Sequence, residues 1–219
     1  MSEQTQWPPP ESAGYPPAKP YALTFSVDYP DRQLNRLSSA LRFIWIIPIG
    51  IIISLLSYGG SNDNSGNWAW GTTAVLFFPL VLMLVFRQKY PRWWYDWNLQ
   101  LTRFMTRVWV YAALLRDEYP STDEEQAVHL DFAYPDAKQL NQFLPLVKWF
   151  LAIPHYIVLF FATIGAVFCV IIAWFAILFT GRYPRALFDY VVGVGRWWLR
   201  VEAYAFLLIT DEYPPFSLD

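Results

Sequence analysis

The side chains in this 219-residue chain that could carry chemistry are two histidines, one cysteine, and arginines and carboxylates at recurrent spacings. His129 and His155 lie far from each other, and neither has a companion at helical or turn spacing. A histidine with a single cysteine (Cys169) makes no metal site, so no bound metal is expected. His155 follows Pro154 within an apolar run, where an ionisable group marks a functional position by default. Glu202 is the acid inside a second apolar stretch, VEAYAFLLI. It stands two residues after Arg200 and does not face it on a helix. His155 and Glu202 are therefore the candidates for a polar path.

Asp117-Glu118-Tyr119-Pro120 returns as Asp211-Glu212-Tyr213-Pro214. Two adjacent carboxylates fall short of the roughly six to eight oxygens that calcium takes. These acids are expected to close a helix exit and to pair with Arg182, Arg185 or their counterparts. Arg92, Asp96, Gln100, Arg103 and Arg107 step by three or four residues, and Arg185, Asp189, Arg196 and Arg200 keep the same stripe in the second copy. Each series draws one polar stripe along an otherwise apolar helix. Guanidinium groups match phosphate oxygens in two-point geometry, so Arg92, Arg103, Arg107, Arg185, Arg196 and Arg200 are the candidate lipid-headgroup ligands. No Gly-rich phosphate loop, nucleophile elbow or paired-carboxylate spacing occurs. No catalytic residue and no cofactor are expected.

The elements that would position these groups are written in the hydropathy. Apolar residues make up 55% and charged residues 16%, against about 25% charged in soluble domains. The net charge of -2 gives no sign of a nucleic-acid partner. Residues 1–20 are polar and Pro-rich and read as a disordered tail without a signal peptide. Residues 41–86 hold two apolar runs around the polar segment SYGGSNDNSGNW, a hairpin. Residues 147–180 are apolar and far longer than one ~30 Å crossing needs. They are read as a second hairpin of two short spanning or re-entrant helices that breaks near Thr163-Ile164-Gly165. After each hairpin comes an interfacial amphipathic helix, at 92–116 and 185–209. None of the 16 Lys and Arg falls in either turn, which places both termini in the cytoplasm.

The two halves, 21–120 and 121–219, repeat each other. Tyr29-Pro30-Asp31 with Gln33-Leu34-Asn35 returns as Tyr134-Pro135-Asp136 with Gln139-Leu140-Asn141, and Tyr90-Pro91-Arg92 as Tyr183-Pro184-Arg185. Even numbers of crossings give parallel repeats about an axis along the membrane normal. Leu23, Phe25, Val27 and Tyr29 alternate, as do Val128, Leu130, Phe132 and Tyr134, the period of short strands. These strands are expected to pair on the cytoplasmic face and link the halves.

The run from Gly181 to Leu218, GRYPRALFDYVVGVGRWWLRVEAYAFLLITDEYPPFSL, resembles the signature of a bacterial and archaeal membrane-protein family designated domain of unknown function 4389. The first copy departs from it where DEYP continues into Ser121-Thr122 and where Trp109 stands in place of Glu202. The resemblance implies a protein of the prokaryotic inner membrane and carries no activity with it. The expected fold is an all-α integral membrane protein of four short helices in two hairpins, with two interfacial helices and a small strand pair. The expected role is a non-enzymatic accessory subunit or scaffold, its partners being lipids and a larger membrane complex or further copies of itself. The alternative is an oligomeric transporter or channel for a small solute or lipid.

Overall fold

A computed structural model describes residues 21–57 and 72–219, apart from Asp31, Arg32, Asp123 and Glu125; the side chains of Phe43 and of residues 52–79 are not described. The Pro-rich tail and the polar turn of the first hairpin lie outside the described residues. The rest is mostly helical with one small sheet. In chain order the elements are β1 (Leu23–Val27), α1 (Arg36–Ala40), α2 (Arg42–Ser57), α3 (Thr72–Arg87), α4 (Arg92–Ala112), β2 (Val128–Phe132), α5 (Lys148–Leu151), α6 (Ile153–Thr180) and α7 (Arg185–Ala205), with a short 3-10 turn at Leu144–Leu146.

The two expected strands form and pair with each other. They run antiparallel, with Phe25 opposite Leu130, Leu23 opposite Phe132 and Val27 opposite Val128. Leu23, Phe25, Leu130 and Phe132 point into the core, and Thr24, Ser26, His129 and Asp131 are exposed. A two-stranded ribbon is marginal by itself. Here α4 packs on β2 and α7 on β1, so the apolar face of the ribbon is covered.

The second hairpin is not formed. Residues 153–180 make one continuous helix of 28 residues, and four membrane helices are not supported. Breaking a helix frees four N–H and four C=O groups at the new ends, and these need partners. Gly165 alone costs a helix only about 1 kcal/mol, and no polar turn residues stand beside it to cap such ends. The chain instead continues to Gly181, whose φ of 73° closes α6 in the left-handed conformation. Both the second turn and the even count of crossings drawn from it therefore fall away.

α6 doubles back onto α7, and the two run antiparallel. The Tyr190 hydroxyl donates to the Ala162 carbonyl at 3.1 Å, and Trp198 Nε1 to Thr163 Oγ1 at 2.9 Å. The buried residues of α6 are His155, Leu159, Ala166, Ala173 and Ile177, a single stripe turned toward α7. The remaining girth carries Phe161, Phe168, Ile172, Phe175 and Phe179, all exposed. Of its most apolar window only 17% is buried, and among the described residues it is the one helix long and apolar enough to cross a membrane. α7 differs in being buried over most of its length, from Phe188 to Ala205. Its apolar face lies on α6 and its arginine stripe reaches the ribbon.

Candidate functional site

Arg42 and Lys148 are the cations at the start of the two apolar runs, each seven residues past an Asn of the repeat. Both are almost fully buried, at 1% and 0% exposure. An unpaired buried charge is very costly, and the fold answers each with the same set of partners. Arg42 pairs with Asp117, donates to the carbonyls of Tyr111 (3.1 Å) and Arg116 (2.9 Å), and sits 4.4 Å over the Tyr111 ring. Lys148 Nζ lies 2.7 Å from Asp211 Oδ1, donates to the Thr210 carbonyl at 2.7 Å, and sits 5.1 Å from the Tyr204 ring centre. The second oxygen of each carboxylate accepts the backbone N–H of Asn35 (2.7 Å) or Asn141 (2.6 Å). The Asn side chains in turn accept the N–H of Leu37 and of Phe143, both at 3.0 Å. Burial lowers the Lys148 pKa below the ordinary lysine value, and the Asp211 carboxylate beside it works in the other direction.

These pairs replace the expected partners of the DEYP acids. Asp117 and Asp211 bind the buried cations, Glu118 pairs with Arg116 at 2.8 Å, and Arg185 pairs with Asp189 at 3.3 Å. The expected partners are Arg182, Arg185 or their counterparts. Burial decides otherwise, because a cation without water gains most from a carboxylate. The matched places of Arg42 and Lys148, each seven residues past the Asn of a QLN motif, are a signal of this pairing that the sequence carries.

A second set of contacts runs between the halves. Tyr29 donates to the Tyr183 carbonyl at 2.5 Å, and Tyr134 to the Tyr90 carbonyl at 2.9 Å. Arg185 stacks 4.6 Å over Tyr29, and Arg92 5.5 Å over Tyr134. Arg103 Nε donates to the Leu130 carbonyl at 2.9 Å, and Arg196 Nε to the Phe25 carbonyl at 3.1 Å. Each of these pairs joins a residue of the segment 21–120 to one of the segment 121–219.

The six candidate headgroup arginines thus separate. Arg103, Arg107 and Arg196 are half-buried and donate to backbone carbonyls, Arg107 to Ser121 at 2.8 Å and Arg196 also to Leu218 at 2.9 Å. Arg200 is half-buried, 5.9 Å over the Tyr21 ring. Arg92 and Arg185 are exposed.

The two polar-path residues are not brought together. His155 is fully enclosed, accepts a hydrogen bond from Trp197 Nε1 at Nδ1 (3.1 Å), and stacks on Phe216 at 3.9 Å beside Tyr213. That contact puts the ring proton of a neutral imidazole on Nε2. Glu202 instead lines a cavity of about 1130 Å³ between α4, α6 and α7, which His155 does not reach. The cavity is walled by Trp109, Tyr156, Val167, Trp198 and Leu199, with Asn98, Thr102, Thr106 and Thr163 as neutral polar groups. Glu202 is accessible from this space, yet desolvation by its surroundings raises its carboxyl above the usual range. Among the described residues no three His, Cys, Asp or Glu side chains gather to hold a metal.

Residues 145–217 match the family model described as a domain of unknown function (DUF4389). The matched segment holds α5, α6 and α7, the Lys148–Asp211 pair, His155 and Glu202. No curated protein and no solved structure matches the chain.

Proposed function

We propose that the chain is a non-enzymatic, membrane-embedded protein that serves as an accessory subunit or scaffold of a larger assembly in the prokaryotic inner membrane. The observation that carries this reading is α6, a 28-residue apolar helix with 17% of its core window buried. Such a surface needs lipid or an apolar partner. Exposed Trp45, Trp93, Trp97, Trp149 and Trp198 supply the amphipathic rings typical of a membrane boundary.

In this reading the halves 21–120 and 121–219 are related by a pseudo-twofold axis through the Phe25–Leu130 pair, where equivalent residues face each other. α6 lies along the cytoplasmic leaflet. Standing it upright would carry the antiparallel α7 with it, and with α7 the Arg196 and Arg200 stripe and the ribbon. Each charge drawn into the bilayer centre costs about 2.5–3.5 kcal/mol on insertion scales. Basic residues also flank both ends of α6, Lys138 and Lys148 at one and Arg182 and Arg185 at the other, which favours both ends on the cytoplasmic side with the termini. Arg92 and Arg185, the exposed pair, face the headgroups.

The test is purification of a tagged copy from its native membrane in mild detergent, with mass spectrometry of what stays bound. A stoichiometric membrane-protein partner, or a discrete homo-oligomer, is the expected result. Recovery as a lone monomer that leaves liposome shape unchanged would refute the scaffold reading. The Glu202 cavity favours a second reading, passage of a small solute or lipid by an oligomer, in which Glu202→Gln alters flux in proteoliposomes.

A further inference from the structure

We propose that the cavity between α4, α6 and α7 is a binding site for a hydrophobic organic cation, meaning a quaternary ammonium or phosphonium centre carrying bulky apolar groups. The proposal rests on this cavity alone and does not require the scaffold reading.

Three features select that chemistry. The first is charge. Among the described residues Glu202 is the sole charged one lining the cavity, and it has no ion-pair or hydrogen-bond partner there. Glu202 is exposed toward this space, and a carboxylate among apolar walls attracts a cation more strongly than one surrounded by water. The second is the wall itself. Trp109, Trp198, Tyr156 and Phe206 line the same space, and ring faces attract cations. Trp109 is fixed by its seat on Gly195, where a Cβ would lie 2.4 Å from the indole. The third is the absence of donors for an anion. Among the described residues no Lys, Arg or His lines the cavity, so a phospholipid, whose phosphate must enter with its head, finds no match there. At about 1130 Å³ the space is somewhat larger than the usual organic-ligand pocket of roughly 300–1,000 Å³. A cation with three or four apolar arms fills it; an inorganic ion or a simple ammonium does not.

The cation needs no hydrogen-bond partner, which suits walls whose other polar groups are neutral amides and hydroxyls. Desolvation holds the Glu202 carboxyl above the ordinary range, and a bound cation favours the ionised form.

The experiment uses the full chain in a nonionic detergent and radiolabelled tetraphenylphosphonium in equilibrium dialysis. Diphenylhexatriene, neutral and apolar, reports whether the cavity remains intact. Glu202→Gln is expected to weaken phosphonium binding by roughly tenfold or more and to leave the neutral dye's affinity unchanged. Glu202→Asp is expected to retain most of the phosphonium binding. A wild-type measurement runs alongside: dicyclohexylcarbodiimide labels desolvated carboxyls, and saturating phosphonium should protect Glu202 from it, read by peptide mass. Phosphonium affinity equal in wild type and Glu202→Gln would overturn the proposal and leave a merely apolar cavity. So would unprotected labelling of Glu202, or displacement of the cation by phosphatidylcholine, which would make the cavity a lipid site.

Discussion

At the scale of single residues, the fold is decided by where buried polar groups find partners. Lys148 is the sharpest case, because its ammonium has no water and depends on Asp211 and the Thr210 carbonyl. Asp211→Asn leaves that buried ammonium without its carboxylate and should cost about 3 kcal/mol, read as a lowered thermal midpoint in detergent. Lys148→Met combined with Asp211→Asn should cost clearly less than the sum of the single changes. Tyr90 and Tyr183 hold matched places in the two halves but differ in bonding. Tyr90 donates to the Leu207 carbonyl at 2.7 Å, whereas the buried Tyr183 hydroxyl has no partner among the described residues. Tyr90→Phe should therefore cost about 1 kcal/mol, and Tyr183→Phe close to nothing. Burial raises both phenols above their ordinary value of 10.0. Above pH 10 the unfolded chain releases these protons while the folded one keeps them, so stability falls as pH rises. Lys148, lowered from 10.5, works in the opposite direction below that pH. Denaturant titrations from pH 9 upward should show the alkaline fall, shallower in either Tyr→Phe variant.

At the scale of elements, the contact between α4 and α7 turns on a missing side chain. Trp109 of α4 lies where a Cβ on Gly195 would stand, and indole atoms would be 2.4 and 2.9 Å from it. Gly195→Ala should destabilise by about 1–3 kcal/mol through overpacking. Trp109→Leu should recover part of that loss in a double-mutant cycle measured by denaturant unfolding. Neither residue advertises this in the sequence, since a contact 86 positions apart leaves no local mark. What was legible had a short period. Alternation gave β1 and β2 their places, and the Arg–Asp stripes gave α4 and α7 theirs, each beginning at the residue after the Pro of YPR. The expected ends at 116 and 209 overshoot the helices by about one turn, because Leu114 and Leu208 adopt positive φ and stop them. The run 147–180 misled for a physical reason. Hydropathy counts apolar residues, and the count is the same for two short helices or one long one; only a polar turn decides, and that run has none. The pairing of Arg42 with Asp117 was likewise hidden, although its counterpart Lys148 stands at the matched place.

At the scale of the whole molecule, the stripes and the ribbon set how α6 can meet a bilayer. The arginines that look outward on a helical wheel turn toward the ribbon, which they hold through the carbonyls of Phe25 and Leu130. The polar side of the assembly is thereby the ribbon side, and the apolar side is α6. In the proposed reading a helix on the apolar side of such a slab lies flat, although its length would let it cross. Phe161, Phe168 and Phe175 test this directly. They fall seven residues apart on one face of α6, with exposures of 67%, 61% and 51%. In a Cys169→Ser background, Phe161→Cys, Phe168→Cys and Phe175→Cys would each carry a nitroxide label in reconstituted vesicles. Depth is then read from the ratio of oxygen to nickel-complex relaxation. The two outer positions are separated by about 21 Å along the helix. If α6 lies in the cytoplasmic leaflet, all three labels report nearly the same depth, because the separation runs parallel to the surface. If α6 crosses, the separation becomes depth: the labels spread across most of a ~30 Å hydrocarbon core, with the middle one nearest the centre. The crossing outcome would force α7's arginines and the ribbon into hydrocarbon unless α6 leaves α7. An added disulfide between those two helices would then abolish insertion, whereas the flat arrangement would accept it unchanged.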